Sequence, residues 1–286
     1  MKLTSRFPLT YILALAALPL VAQQAPPATF QNLVPPNQMA FVQPYDGKQA
    51  KHLLGDGRYK ALMAQVIPNT TVHYGLDMKL AEAVDKVMHG SKEPVTILNG
   101  RYASLGGGTG PYLHGRGLVW MDLQTGTVLG AFYYQPTNGE PSPTLTVFSR
   151  QLTGPELGMA QLPAAFTASL NDWERSVGAP LVSVRYFIPA DGRKYVLVHD
   201  ENYCAAASAE PASPTRACDL LAQHAAQLDL NAAYFMADAQ NAANARAWRT
   251  QQVERIYLSG LARTCGAAVG CITTGIRSQV RVLLGR

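Results

Sequence analysis

All four cysteines of this 286-residue chain, Cys204, Cys218, Cys265 and Cys271, fall in its last third, and none precedes them. A bridge fixes two backbone positions at a set separation, so an even cysteine count in one stretch constrains that stretch more than any other feature of the sequence. Whether bridges form depends on the compartment. The N-terminus bears on this: Met1-Lys2-Leu3-Thr4-Ser5-Arg6 is a charged start, and an apolar run from Leu9 to Ala22 follows it. This is the pattern of a secretory signal peptide over residues 1–22, with cleavage expected after Ala22. The run is too short for a confident membrane span, and no cysteine follows it to carry a lipid. A soluble periplasmic or secreted protein with disulfides is therefore expected. Four cysteines allow three connectivities. Near-neighbour pairing, Cys204 with Cys218 and Cys265 with Cys271, is favoured, and crossed pairings that would tie helix ends together stay open. The spacings offer no metal-ligand pattern, so no metal is expected.

Charge narrows the class of partner. The formal net charge is +5, of which Lys2 and Arg6 leave with the signal segment. Residues 23–203 balance, and the remaining excess sits on residues 204–286, mostly as arginine. So small and diffuse an excess does not make a nucleic-acid footprint.

Residues 23–46, with Pro26, Pro27, Pro35, Pro36 and Pro44, predict an extended arm or linker, which Phe30, Leu33, Phe41 and Val42 could dock onto a domain. Residues 47–203 follow as one domain. A helix is expected from Lys48 to Ile67, with Gly55 and Gly57 as possible breaks, and another from Asp77 to His89, with Asp77 as N-cap. After Pro94 the period shortens to that of strands. Gly117–Asp122 and Thr127–Tyr134 form a hairpin across Gln124-Thr125-Gly126. Leu145–Leu152 is a further strand, Leu162–Val177 a helix, and Val182–Ile188 with Lys194–His199 a second hairpin across Asp191-Gly192. The succession predicts an α+β domain with an antiparallel sheet and flanking helices.

Beyond Cys204 the composition shifts to alanine. Ser213-Pro214 reads as a helix entry, and helices are expected over 218–247, Arg246–Arg263 and Ile272–Leu284, so residues 204–286 predict a small all-α, disulfide-stapled domain. Its residues carry a resemblance. Cys204, Cys218, Leu220-Leu221, Leu228-Asp229-Leu230-Asn231, Tyr234, Arg263, Cys265, Cys271-Ile272, Arg277 and Leu283 resemble the LprI/YecT-type domain of the lysozyme inhibitor LprI family, over about 80 residues. The resemblance implies an exported cell-envelope protein that binds and inhibits a lysozyme or another peptidoglycan hydrolase, without cofactor. The alternative is a non-catalytic periplasmic binding or scaffold protein, in which the α+β domain holds the ligand site and the helical tail is an adapter.

Other motifs add little chemistry. Gly106-Gly107-Gly108-Thr109-Gly110 lacks the lysine and following helix of a phosphate loop and reads as a hairpin connection. It is still the best candidate for a mobile or inserting loop, and Tyr112, His114 and Arg116 beside it are the candidate partner-binding residues. Asp122, Glu140 and the His199-Asp200-Glu201 cluster are the carboxylates a glycan hydrolase would need to pair. Ser104, Ser149 and Ser183 lack the context of an activated nucleophile. The expectation is a protein that is not an enzyme, with no catalytic, cofactor or metal residues, and with His199 structural at a domain junction.

Overall fold

A computed structural model describes residues 30–108, 115–177, 182, 184–201, 215–239 and 246–285. Two short helices, α1 (Pro36–Met39) and α2 (Ala50–Leu54), flank a 3-10 turn over Ala40–Tyr45 and lead to α3 (Gly57–Val66). The strands β1 (Thr71–His73) and β2 (Asp77–Lys79) pair with each other and precede α4 (Leu80–Met88). Then come β3 (Thr96–Leu98), β4 (Tyr102–Gly108), β5 (Arg116–Asp122), β6 (Thr127–Tyr134), β7 (Thr144–Phe148), β8 (Leu157–Gly158), α5 (Ala164–Ser176), β9 (Val184–Ile188) and β10 (Tyr195–Val198). The eight later strands form one sheet in the order β3-β4-β5-β6-β7-β9-β10-β8.

Alternation along the strands sends side chains to two cores. Val128, Phe132 and Tyr134 of β6 meet α3, α4 and the N-terminal arm on one face. Leu129, Ala131 and Tyr133 meet Phe166, Leu170 and Trp173 of α5 on the other. Every residue of β6 is buried, as a strand covered on both faces requires. The sheet is mixed and not purely antiparallel, because β7 pairs parallel with β9 and β10 parallel with β8. Parallel neighbours need a crossover, and the segment carrying α5 supplies it between β7 and β9.

Several boundaries differ from those expected. The helix over 48–67 divides at Gly55-Asp56, where the Asp56 carboxylate accepts from the Arg58 backbone N–H at 2.8 Å and caps α3. Asp77 is no N-cap: pairing of β1 with β2 holds it in a strand, with Met78 buried and His73 Nδ1 2.7 Å from Asp77 Oδ1. The strand from Leu145 stops at Phe148, since Gln151 turns inward, accepting from the Val128 N–H at 2.7 Å and donating to the Gly126 carbonyl at 2.9 Å. The proline-rich arm is laid on the body from Phe30 onward: Phe30 bridges Leu152, and Met39, Phe41 and Val42 enter the core, while Leu33 stays exposed.

Gly106, Gly107 and Gly108 are not a connection. They lie in β4, where α4 crosses so closely that a Cβ on Gly107 would stand 2.8 Å from Met88 Cα. Gly107 is a spacer for α4 and Gly106 leaves room for Trp173 of α5, while a Cβ on Gly108 would run into the Arg116 side chain of β5.

The tail is all-α: α6 (Thr215–Ala239), α7 (Arg246–Cys265) and α8 (Val269–Leu283). Cys265 and Cys271 are bridged across the α7–α8 turn. Cys218 is also disulfide-bonded, and its partner lies outside the described residues, as do Cys204 and the Ser213-Pro214 entry. Ala226, Leu230 and Ala233 of α6 pack with Ile276 and Val280 of α8. On another side α6 lies on the sheet, where Ala232 joins Val184, Tyr186 and Val196.

Candidate functional site

Two places in the body bring polar side chains together. The first is a cleft of about 430 Å³ between α3 and α4. On α4, Ala81, Val84, Asp85 and Met88 fall on one stripe at i, i+3, i+4 and i+7 and form one wall. On α3, Tyr59, Lys60, Met63 and Ala64 form the other. Pro68 follows Ile67, the C-cap of α3, and turns the chain through Asn69-Thr70, where the Thr70 carbonyl accepts from the Leu80 N–H at 3.0 Å and closes one end. The floor is apolar, with Leu54, Met63, Ile67, Val84 and Met88 all buried.

Three cations line this cleft, Lys60, Lys79 and Arg150, against one acid, Asp85. Arg150 is held by its backbone N–H on the Val66 carbonyl at 2.7 Å, and its Nη1 donates to the Ala64 carbonyl at 3.2 Å. Among the described residues neither lysine has an ion-pair partner, whereas Asp85 Oδ1 lies 3.2 Å from His89 Nδ1. Tyr59 is buried, and its phenol is pushed well above the usual value, by burial first and by Asp85 second. It stays a neutral hydroxyl donor at any physiological pH.

The second place is where α6 meets the sheet. Asp229 of α6 accepts from the His199 backbone N–H at 3.0 and 3.2 Å, and its Oδ1 lies 2.6 Å from His199 Nδ1. Both residues are buried. Burial pushes the Asp229 carboxyl up, against the bonds from His199. Nearby Arg185 of β9 lies between Glu174 of α5 at 3.6 Å and Glu201 at 3.3 Å. Burial also raises Glu174, whose Oε1 has no hydrogen-bond partner among the described residues. With Nδ1 and the backbone N–H of His199 both on Asp229, the pair acts as a latch between module and body.

Scans against protein-family models, curated proteins and solved structures return no match to this chain. Function therefore has to be read from the residues. Of the partner-binding candidates, Tyr112 and His114 lie outside the described residues, and Arg116 opens β5, its position paired with Gly108 and Tyr133. Asp122 is spent on structure. Burial opposes its ionisation, yet Arg101 at 2.7 Å and the backbone N–H groups of Gln124 and Thr125 hold its carboxyl below the usual value. Glu140 pairs with Lys194 at 2.6 Å. These two carboxylates sit beyond opposite ends of β6, roughly 20 Å apart at the rise of an extended strand, against roughly 5–10 Å for a glycosidase pair. They do not form that pair.

Sequence reasoning missed the cleft. Its residues run from Leu54 to Met88 and then jump to Arg150, and no local motif joins them. The one available signal was the stripe on α4, whose exposed members Ala81 and Asp85 flank buried Val84.

Proposed function

We propose that this chain is an exported cell-envelope protein that works by binding, and that its α+β body holds the ligand site in the cleft between α3 and α4. The observation that carries this is the cleft itself: a concave, mostly apolar space of about 430 Å³ with a few polar groups converging on it. Its volume falls in the range of small-molecule sites. The helical module, latched through Asp229, serves as the adapter. The test is Nile red, a neutral dye whose fluorescence rises in apolar surroundings, titrated into the chain from residue 23 onward. Saturable binding that is lost in Ala81→Trp, a plug on the cleft wall, is expected. Binding unchanged by the plug, or none, sinks the reading.

A second reading follows from the resemblance of the tail to the LprI family: the partner is a lysozyme-type hydrolase, blocked by contact with the helical module in the periplasm or outside the cell. One observation favours it. Leu220, Leu221, Val253, Ile256 and Val282 are large apolar residues left exposed on the three helices of the module, side chains that a partner could bury. Inhibition assays with several lysozyme types at micromolar excess test it, with Ile256→Asp as the variant expected to weaken any inhibition. No inhibition by the wild-type chain removes this reading and leaves the first standing.

A further inference from the structure

We propose that the cleft between α3 and α4 takes an amphipathic anion, an apolar chain or ring bearing one carboxylate or phosphate head. This rests on the cleft being a ligand site and adds the class of ligand.

Three features carry it. The lining holds three cations against one acid, so the field inside favours a negative guest. Its one acid, Asp85, has a mostly exposed side chain with Oδ1 3.2 Å from His89 Nδ1, while Lys60 and Lys79 have no ion-pair partner among the described residues. Arg150 is pinned at the wall by its bond to the Ala64 carbonyl, which orders the guanidinium before any ligand arrives.

Tyr59 adds a directional argument. The residue is only 4% exposed and lines the cleft, and its hydroxyl has no hydrogen-bond partner among the described residues. Burial keeps it protonated. The phenol lines the cleft as a neutral O–H donor, and an acceptor oxygen on a bound ligand would give it a direct hydrogen bond. A carboxylate or phosphate supplies that oxygen and also answers the cations. The buried apolar floor of Met63, Ile67, Val84 and Met88 sets the other half of the ligand. A hydrated sugar would strand its hydroxyls there, and a cationic amphiphile would meet three like charges.

Isothermal titration calorimetry on the disulfide-bonded chain from residue 23 onward tests this with four probes: decanoate, decyl phosphate, decanol and decyltrimethylammonium. The two anions are expected to bind at least tenfold more tightly than decanol, and the cation not at all. Arg150→Ala and Lys79→Ala should each weaken decanoate about tenfold and leave decanol unchanged. Both side chains sit at the surface of the body, so circular dichroism should confirm an intact fold. Tyr59→Phe should cost the anions several-fold with no loss for decanol. Vesicles of phosphatidylglycerol separate the sources: binding to them as well assigns a membrane-lipid head, and binding to the free amphiphiles alone assigns a free acid.

Decanol and decyltrimethylammonium binding as tightly as decanoate would overturn the anionic class and leave the cleft a ligand site. Decanoate binding that survives Ala81→Trp, or that ignores the loss of Arg150, also overturns it. Failure of every decyl probe together with Nile red removes both the class and the site.

Discussion

The body and the helical module solve the same problem, burying enough apolar surface to stay folded, in different ways. In the body, large side chains do it. Trp120, Phe132, Tyr133, Phe166 and Phe187 are fully or almost fully buried, on two faces of one sheet. In the module the buried set is Ala226, Leu230, Ala233, Tyr234, Ile276 and Val280, with Tyr234 its one buried aromatic among the described residues, and so short a set removes less area from water. What the module lacks in core it recovers by attachment: a bridge across the α7–α8 turn, apolar contact of Ala232 and Met236 with β9 and β10, and the Asp229–His199 latch. The difference teaches that the cysteines belong where the core is thinnest. It also explains why an acidic residue is tolerated in the face of α6 that packs against the body.

The largest effect should come from breaking the stronger half. Phe132 stacks on Tyr134 with centroids 4.8 Å apart and meets Tyr74 edge-on at 5.4 Å. Phe132→Ala should cost about 4 kcal/mol, the removal of a fully buried aromatic with a cavity left behind. Urea denaturation followed by tryptophan fluorescence measures it. A loss below about 1 kcal/mol would mean that the body's core is not the dominant support claimed for it.

The latch comes next. Asp229→Ala leaves the His199 N–H and ring nitrogen buried without their acceptor, a cost of about 3 kcal/mol. The loss should be local. Amide hydrogen exchange should rise across 226–234 of α6, while β5 and β6 keep their protection. Equal loss of protection in both regions would show that module and body do not differ in the way described.

The bridge ranks third. Opening the short loop between Cys265 and Cys271 with the paired Cys265→Ser and Cys271→Ser changes should cost about 2 kcal/mol on chain-entropy grounds. Exchange at α7 and α8 should report it, with none at β6. If β6 responds as strongly, the module is a structural prop of the body and not an appendage.

Much of the fold was legible before any coordinates. The hairpin of β5 and β6 stood out because two short runs rich in β-branched and aromatic residues flank Gly126, which takes φ +79 in the turn. The tail helices were readable from alanine and leucine spacing: the ends of α7 and α8 moved by no more than three residues, while α6 is described only to Ala239 against an expected end at 247. What could not be read was long-range. Period-2 patterning shows that a strand has two faces and says nothing of its neighbour, so the parallel pairing of β7 with β9 was invisible. The glycine run reads as a connection in the sequence because its reason, the backbone of α4 lying against Gly107, is supplied by another element. His199 was expected at a domain junction, but its partner lies thirty residues on. The clue to that partner was Asp229 itself, a charge between buried Ala225 and Ala232 at helical spacing.

The smallest effect concerns the seam between the two halves, and pH reads it out. Burial is the main cause that holds the Glu174 carboxyl above its usual value, with Arg185 opposing. The folded chain therefore binds that proton more tightly than the unfolded chain does. Its contribution to stability is fully present below the unfolded value of 4.5 and is lost as pH rises through the raised folded value. Glu174→Gln removes the titration while keeping the shape and the neutral hydrogen-bonding groups. Relative to wild type, the variant should gain stability as pH rises through that window, by no more than about 1 kcal/mol, and the difference should then level off. Paired urea denaturations from pH 4 to pH 7 measure it. A difference that stays flat would mean that Arg185 compensates the buried charge in full. A difference of opposite sign would mean that the ion pair of Glu174 with Arg185 at 3.6 Å outweighs the burial, and that the seam is held by charge as well as by the latch.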